Sequence, residues 1–308
     1  MQNPQSDITA SRLRPALRRN FERLLAPRSM AFIGGRQVEY TLTTLREQNY
    51  RGDVHVVHPT RAEIAGYPCI RSIEELPSAP DAVFLAINAD ASIAALNRLR
   101  EIDAGGVVCY ASGFAEVGDA ERNRKFIEAA GDMAVVGPNC YGLVNYVNDG
   151  SIWPALYPKL TGGRGAAVIS QSGNVTGHLV QNDRSVPYSY LISAGNQAVL
   201  GFEDYIDYLV DDPHVTCLGL FMEGIRDVAS FSQACLRARA RKVPVIVCRS
   251  GRSELGAAMA ASHTSSLAGQ NAYYDALFDR LGIIATETVP QFLEMMKIAS
   301  LSAPLPGR

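Results

Sequence analysis

The sequence predicts an α/β protein built from two domains in tandem, each with a parallel sheet covered on both faces. Three observations carry this. Short apolar runs, too continuous for a half-exposed sheet, alternate with amphipathic stretches along the chain. The alternation breaks at Asn145–Gly163, where Asn148-Asp149-Gly150, Pro154, Pro158 and Gly162-Gly163 crowd turn-forming residues together, and then restarts. The 308 residues suffice for two ordinary cores. The expected domains are therefore residues 1–148 and 149–308.

Taken in order, Arg12–Arg23 reads as a solvated first helix; a transit peptide suits it less well, because such peptides avoid acids and Asp7 and Glu22 are present. Strands are expected at Ser29–Gly34, Val54–Val57, Ala82–Ile87, Gly106–Tyr110 and Met133–Val136, with helices at Tyr40–Gln48, Ala91–Arg100 and Ala120–Ala130. After the break, strands are expected at Ala166–Ile169, Tyr188–Ile192, Thr216–Phe221 and Val243–Val247. Helices are expected at Val175–Asp183, Phe202–Leu209, Val228–Ala240 and Ala272–Arg280. A short strand at Gly282–Ala285 and a helix at Pro290–Ser300 close the chain.

Composition narrows the function. With 47% hydrophobic and 19% charged residues the chain reads as globular, and a net charge of −2 gives no argument for nucleic acid. No apolar run approaches the roughly 18 residues of a membrane-spanning helix, and no secretory signal core is visible. The 6 cysteines form no Cys-x-x-Cys pair, so no metal site is expected and a reducing, cytoplasmic setting is. Cys109, Cys217 and Cys248 sit in strand-like runs and read as buried hydrophobes.

The first strand ends in Ile33-Gly34-Gly35-Arg36-Gln37, a glycine-rich turn through which backbone N–H groups can approach a phosphate. Glycine serves any tight strand-to-helix turn equally well. The spacing G-x-G-x-x-G is missing, and the second strand ends in His58-Pro59-Thr60 with no acid to bond a ribose 2′-hydroxyl. Both details disfavour a nicotinamide dinucleotide and leave a Rossmann-like domain for another nucleotide-containing ligand, with CoA the natural candidate. Ser112–Gly118 and Gly137-Pro138-Asn139-Cys140 follow strands at the edge where such sheets bind ligands, although each is also ordinary turn chemistry.

In the second half, Ser170-Gln171-Ser172-Gly173-Asn174 lies where a strand turns into a helix, so free N–H groups and the helix dipole favour an anion there. Ser172 equally suits an N-cap. Glu223 ends a strand beside Gly224; taken alone it reads as a surface acid paired with Arg226. His263 sits among small residues, which suits a loop that admits substrate, although taken alone it reads first as a structural histidine; His55, His58, His178 and His214 receive no role.

Together, Ser112–Gly118 (SGFAEVG), Gly137–Cys140 (GPNC), Ser170–Gly173 (SQSG), Gly195-Asn196, Glu223–Asp227, Gly251–Glu254 and Ser262–Gly269 (SHTSSLAG) resemble the NDP-forming acyl-CoA synthetases, relatives of the succinyl-CoA synthetase α-subunit. Tyr141–Tyr146 and Trp153-Pro154 resemble the feruloyl-CoA-synthetase-like branch. The resemblance implies a CoA-binding Rossmann-like domain followed by a flavodoxin-like, succinyl-CoA-ligase-like domain. It implies the reaction of a carboxylic acid, CoA and ATP to acyl-CoA, ADP and phosphate, through an acyl phosphate and a phosphohistidine.

On this sequence the resemblance places the phosphohistidine on His263, its orienting carboxylate on Glu223, and the phosphate site on Ser172, Gly173 and Asn174. CoA falls on Gly34, Gly35, Arg36, Pro59, Ser112, Gly113, Phe114, Glu116, Pro138, Asn139 and Cys140. Gly-Gly-Arg stands where many relatives have Gly-Ala-Ser, and Ser265 replaces a common glycine. No ATP-grasp segment is visible, so ATP, ADP and Mg are expected only through an ATP-grasp β-type domain or subunit, and an oligomer is expected. The alternatives are a CoA-binding regulatory module without turnover, which would need neither His263 nor Glu223, and a Rossmann oxidoreductase.

Overall fold

The computed structural model describes residues 9–159, 163–251 and 271–302. They divide into two compact units. One is Arg14–Lys159 with Ser193–Leu200; the other holds the remaining described residues.

The first unit is built on a seven-stranded sheet of order β3-β4-β2-β1-β5-β6-β7, with β1 Ser29–Gly34, β2 Asp53–Val57, β3 Glu63–Ile64, β4 Tyr67–Ile70, β5 Ala82–Ala86, β6 Gly106–Cys109 and β7 Ala134–Val136. All its pairings are parallel except β3 with β4, so the sheet is mixed at that edge. β1, β5, β6 and β7 are buried almost throughout, the signature of a sheet covered on both faces. Strand order reverses between β1 and β5, which makes the carboxyl ends of those two strands the expected binding edge.

Helices α2 Arg36–Glu47, α3 Ala89–Glu101 and α4 Ala120–Ala130 follow β1, β5 and β6. Asn88 and Asp119 cap the last two by accepting from Ala91 N and Arg122 N, each at 2.9 Å. The core joins Val83, Leu85, Val107 and Val135 of the sheet to Leu96, Leu99, Phe126 and Ala129 of these helices.

Helix α1, Pro15–Leu25, differs from the solvated helix that the arginines suggest. Arg19 is exposed and Arg18 and Arg23 are half-buried, while Leu17, Phe21, Leu24 and Leu25 are buried against β5, β6 and β7. Arg23 Nε lies 2.8 Å from Asp81, and the N–H of Arg28 donates to the same carboxylate at 2.9 Å. Burial would raise this carboxyl; the hydrogen bonds from Arg23, Arg28 and Ser29 outweigh it and hold Asp81 below its usual range. The unit continues through the turn-rich stretch after β8 Gly142–Asn145. Ile152, Trp153 and Tyr157 are buried there, and Tyr157 Oη donates to Ser151 Oγ at 2.6 Å.

In the second unit the strands run β13-β12-β11-β9-β10, with β9 Gly165–Ser170, β10 Tyr188–Ser193, β11 Val215–Met222, β12 Val245–Arg249 and β13 Ile284–Thr286. β11 pairs in parallel with both β9 and β12, and β12 with β13. In chain order this is 2-1-3-4-5, the flavodoxin-like winding, whose switch point lies between β9 and β11. Its helices are α5 Gly173–Val180, α6 Phe202–Leu209, α7 Val228–Ala240, α8 Asn271–Leu281 and α9 Val289–Leu301.

Gly219 on β11 admits α9 closely, since a methyl group there would meet Met296 Sδ at 2.4 Å. Arg237 of α7 is 3% exposed and pairs with Asp207 at 3.0 Å and Asp211 at 2.6 Å. Ser11 Oγ and the N–H groups of Arg12 and Leu13 donate to Asp207, which anchors the first described residues to α6 and α7. No helix among the described residues is long and apolar enough to cross a membrane, and no metal-ligating cluster occurs among them.

Candidate functional site

Each unit presents the carboxyl ends of its central strands at its own switch point. In the first, β1 ends at Gly34 with φ +141°, a conformation open to glycine and hostile to other residues. A methyl group on Gly34 would lie 2.4 Å from the Ala86 carbonyl oxygen, at the end of β5. Gly35 has open space around its Cα and Arg36 is exposed at the start of α2, its Nε 3.0 Å from Tyr40 Oη. The backbone of this turn is therefore reachable by a phosphate-bearing ligand.

Pro59 is exposed beyond β2. Beside it, His58 Nδ1 accepts from Thr60 N at 3.2 Å and Arg61 N at 3.1 Å. Burial, Arg61 and Arg71 lower the His58 pKa, which suits an acceptor nitrogen that closes a turn. No acidic residue occupies this strand end.

The loop after β6 is organised from within. Glu116 accepts from the N–H groups of Gly113 and, at 3.2 Å, Phe114, so both donors already point at a carboxylate. The Phe114 side chain is wholly buried, its ring centroid 4.9 Å from that of Phe126, and Ser112 remains exposed. After β7, Pro138 follows a cis peptide bond and Asn139 has φ +57° with its side chain exposed. Cys140 is buried, with Sγ 3.3 Å from the Cys109 carbonyl, and burial pushes its thiol well above the usual range. Phe114 and Cys140 thus spend their side chains on the core and offer a ligand only their backbone.

Asn196 joins these loops. Its N–H donates to the Pro138 carbonyl at 2.9 Å, its Oδ1 accepts from Asn139 Nδ2 at 3.3 Å, and its Nδ2 donates to Glu116. Gly195, φ +55°, packs so tightly that a methyl group would meet Pro138 O at 2.4 Å. Asn196 lies far along the chain from the loops it joins, and the Gly195-Asn196 pair is its one mark in the sequence.

In the second unit, Gln171, the residue before Ser172, bonds the turn that begins at Glu223 across the switch point. Ser172 Oγ accepts from Val175 N at 3.3 Å, so it caps α5 as well as standing at its N-terminus. Gly173 begins the helix and Asn174 is exposed. Gln171 Oε1 accepts from Glu223 N at 2.6 Å and Gly224 N at 3.1 Å, while its Nε2 donates to Gly224 O at 3.1 Å. In the sequence Gln171 stands within the Ser170–Asn174 segment, and its type alone does not mark these bonds to a strand end 52 residues away. Arg226 Nη2 lies 3.1 Å from Glu203. His263 lies outside the described residues, as does the flank preceding α8.

Two family models match in tandem, a CoA binding domain over residues 28–146 and a succinyl-CoA ligase like flavodoxin domain over residues 163–299. A trans-feruloyl-CoA synthase from an unknown prokaryotic organism is 31% identical over 93% of this chain and 42% of its own length. The α-subunit of the ADP-forming acetate–CoA ligase II of Pyrococcus furiosus is 30% identical over 91% of this chain and 62% of its own. The solved dinucleotide-forming acetyl-coenzyme A synthetase 1 of Ca. Korarchaeum cryptofilum superposes with a TM-score of 0.85 at 27% identity, covering 93% of this chain and 64% of that one. The chain belongs to the NDP-forming acyl-CoA synthetase family, and it spans 42% and 41% of the length of two curated relatives.

Proposed function

We propose that this chain is the CoA-binding and phosphohistidine portion of an ADP-forming acid–CoA ligase. The observation that carries the reading is the flavodoxin-like switch point. There Ser172 caps a helix N-terminus, and the side chain of Gln171, the residue before it, bonds the backbone of Glu223 at a strand end, in a chain whose other unit matches a CoA binding domain.

In this reading CoA lies along the Gly34–Arg36 turn, Pro59, the Ser112–Glu116 loop and Pro138–Cys140 of the first unit. ATP and Mg enter through an ATP-grasp domain or subunit, which phosphorylates His263. The imidazole passes the phosphoryl group to a carboxylate, giving an acyl phosphate and free imidazole. CoA sulfur then attacks the acyl carbon, and phosphate leaves. Glu223 holds one ring nitrogen protonated so that the other is the nucleophile. The N-terminus of α5 receives the phosphoryl oxygens. The chain works in the cytoplasm, within an oligomer. The Trp153-Pro154 and Tyr141–Tyr146 segments align this reading with the feruloyl-type relative.

Calorimetry with CoA and NAD tests it. CoA should bind and, at 100 times its dissociation constant, stabilise the protein by about 2.7 kcal/mol. NAD should not bind, because His58-Pro59 stands where the ribose acid would be. NAD binding tighter than CoA overturns the reading.

A further inference from the structure

We infer that Gln171 is a positioning residue for Glu223. The inference deepens the proposed function, since it rests on Glu223 acting on the carrier histidine. Gln171 is the first residue after β9 and Glu223 the first after β11, so the two stand side by side across the switch point. The main chain already links them, Gln171 N donating to Phe221 O at 3.1 Å. The side chain then fixes the turn beyond: one oxygen takes the N–H groups of Glu223 and Gly224, and the amide nitrogen returns a bond to Gly224 O.

Strand ends are where a backbone frays, because the ladder stops supplying partners. Here one amide supplies an oxygen that takes two N–H groups and a separate nitrogen that donates to the same turn, an arrangement that among the amide side chains Asn reaches less well, being one methylene shorter. The next residue, Ser172, caps α5. The direction in which Glu223 leaves its strand and the position of the α5 N-terminus are therefore coupled through a single residue. A carboxylate that orients an imidazole must be held to a fraction of an ångström, and such support comes from hydrogen bonds of this kind.

The test uses the whole chain and phosphoramidate as phosphoryl donor, with the label at His263 read by mass spectrometry. An imidazole nitrogen attacks phosphorus, the donor P–N bond breaks and ammonia leaves. Rates are followed against pH for the native chain, Gln171→Met, Glu223→Gln and the double variant. Met keeps the length and volume of Gln and removes its hydrogen bonds.

Loss of the Glu223 carboxylate should lower the imidazole pKa and move the acid limb of the profile to lower pH, with a lower plateau. Gln171→Met should move the limb the same way and lower the plateau about tenfold, and should add less than about twofold to Glu223→Gln, as coupled residues do. A Gln171→Met profile unmoved from the native one, or losses that multiply in the double variant, overturns the inference while leaving Glu223 intact. No effect of Glu223→Gln, or no His263 label in the native chain, overturns the proposed function and this inference together. Amide exchange in the native chain gives an independent reading. Glu223 and Gly224 N–H should be protected; rapid exchange at both contradicts the role even if the Met variant does not fold.

Discussion

Gly34 lies so close to Ala86 that a methyl group on its Cα would sit 2.4 Å from the Ala86 carbonyl oxygen. The contact joins the ends of β1 and β5, the two strands that flank the switch point of the first unit. Gly34→Ala should therefore lower stability by about 2–4 kcal/mol, from clash and from a φ of +141° that alanine avoids. Gly35→Ala, with open space around its Cα, should cost under about 1 kcal/mol. Urea unfolding of both variants checks this; equal losses would contradict it.

Asn196 carries a separate expectation. It connects Glu116 and Asn139, which belong to two different loops of the candidate CoA edge. Asn196→Ala should weaken CoA binding about tenfold, which is about 1.4 kcal/mol, chiefly by loosening those loops. The thermal midpoint should move little, because Asn139 is exposed and Glu116 keeps its bonds to Gly113 and Phe114. Unchanged CoA affinity in calorimetry would remove Asn196 from the site.

The second unit contains a carboxyl whose ionisation opposes stability at neutral pH. Burial first, then neighbouring Glu203 and Asp207, raise Asp204 to about 6, against the bonds it makes to Gly201 and the pull of Arg226. The folded form thus holds a proton that the unfolded form releases near about pH 4. The resulting stability is present at low pH and lost as pH rises through about 6. Asp204→Asn keeps an oxygen for the Gly201 N–H, now at 2.8 Å, and removes the buried charge. It should raise stability at pH 7 by on the order of 1 kcal/mol and flatten the dependence between about pH 4 and 6. A destabilised variant at pH 7 would contradict the assignment.

Much of this architecture is legible in the sequence because buried parallel strands are written as unbroken apolar runs. Ser29–Gly34, Phe202–Leu209, Val228–Ala240 and Ala120–Ala130 fall where the pattern puts them. Elements that depend on tertiary partners do not. β3 and β4 are a hairpin of two paired positions containing Pro68, with too few apolar residues to stand out. α2 begins at Arg36, before the expected Tyr40, because its first turn carries one apolar residue, the buried Val38, among Arg36, Gln37 and Glu39. α1 hides its apolar stripe among arginines. The turn-rich stretch around Ile152 and Trp153 is packed, a property that composition does not report. At the candidate site the glycines and Ser172 were legible from local turn chemistry. Gln171 and Asn196 were not, since each acts on loops distant in sequence.

The central claim is that phosphate travels on His263, and the most direct measurement is mass spectrometry of the chain after ATP is supplied with an ATP-grasp partner. The account predicts one phosphoryl group, on His263, labile in acid and stable in base. It predicts no label in His263→Ala, which should still bind CoA as the native chain does, and slower labelling in Glu223→Gln. Phosphate found on a serine, or a His263→Ala chain that still becomes labelled, would contradict it.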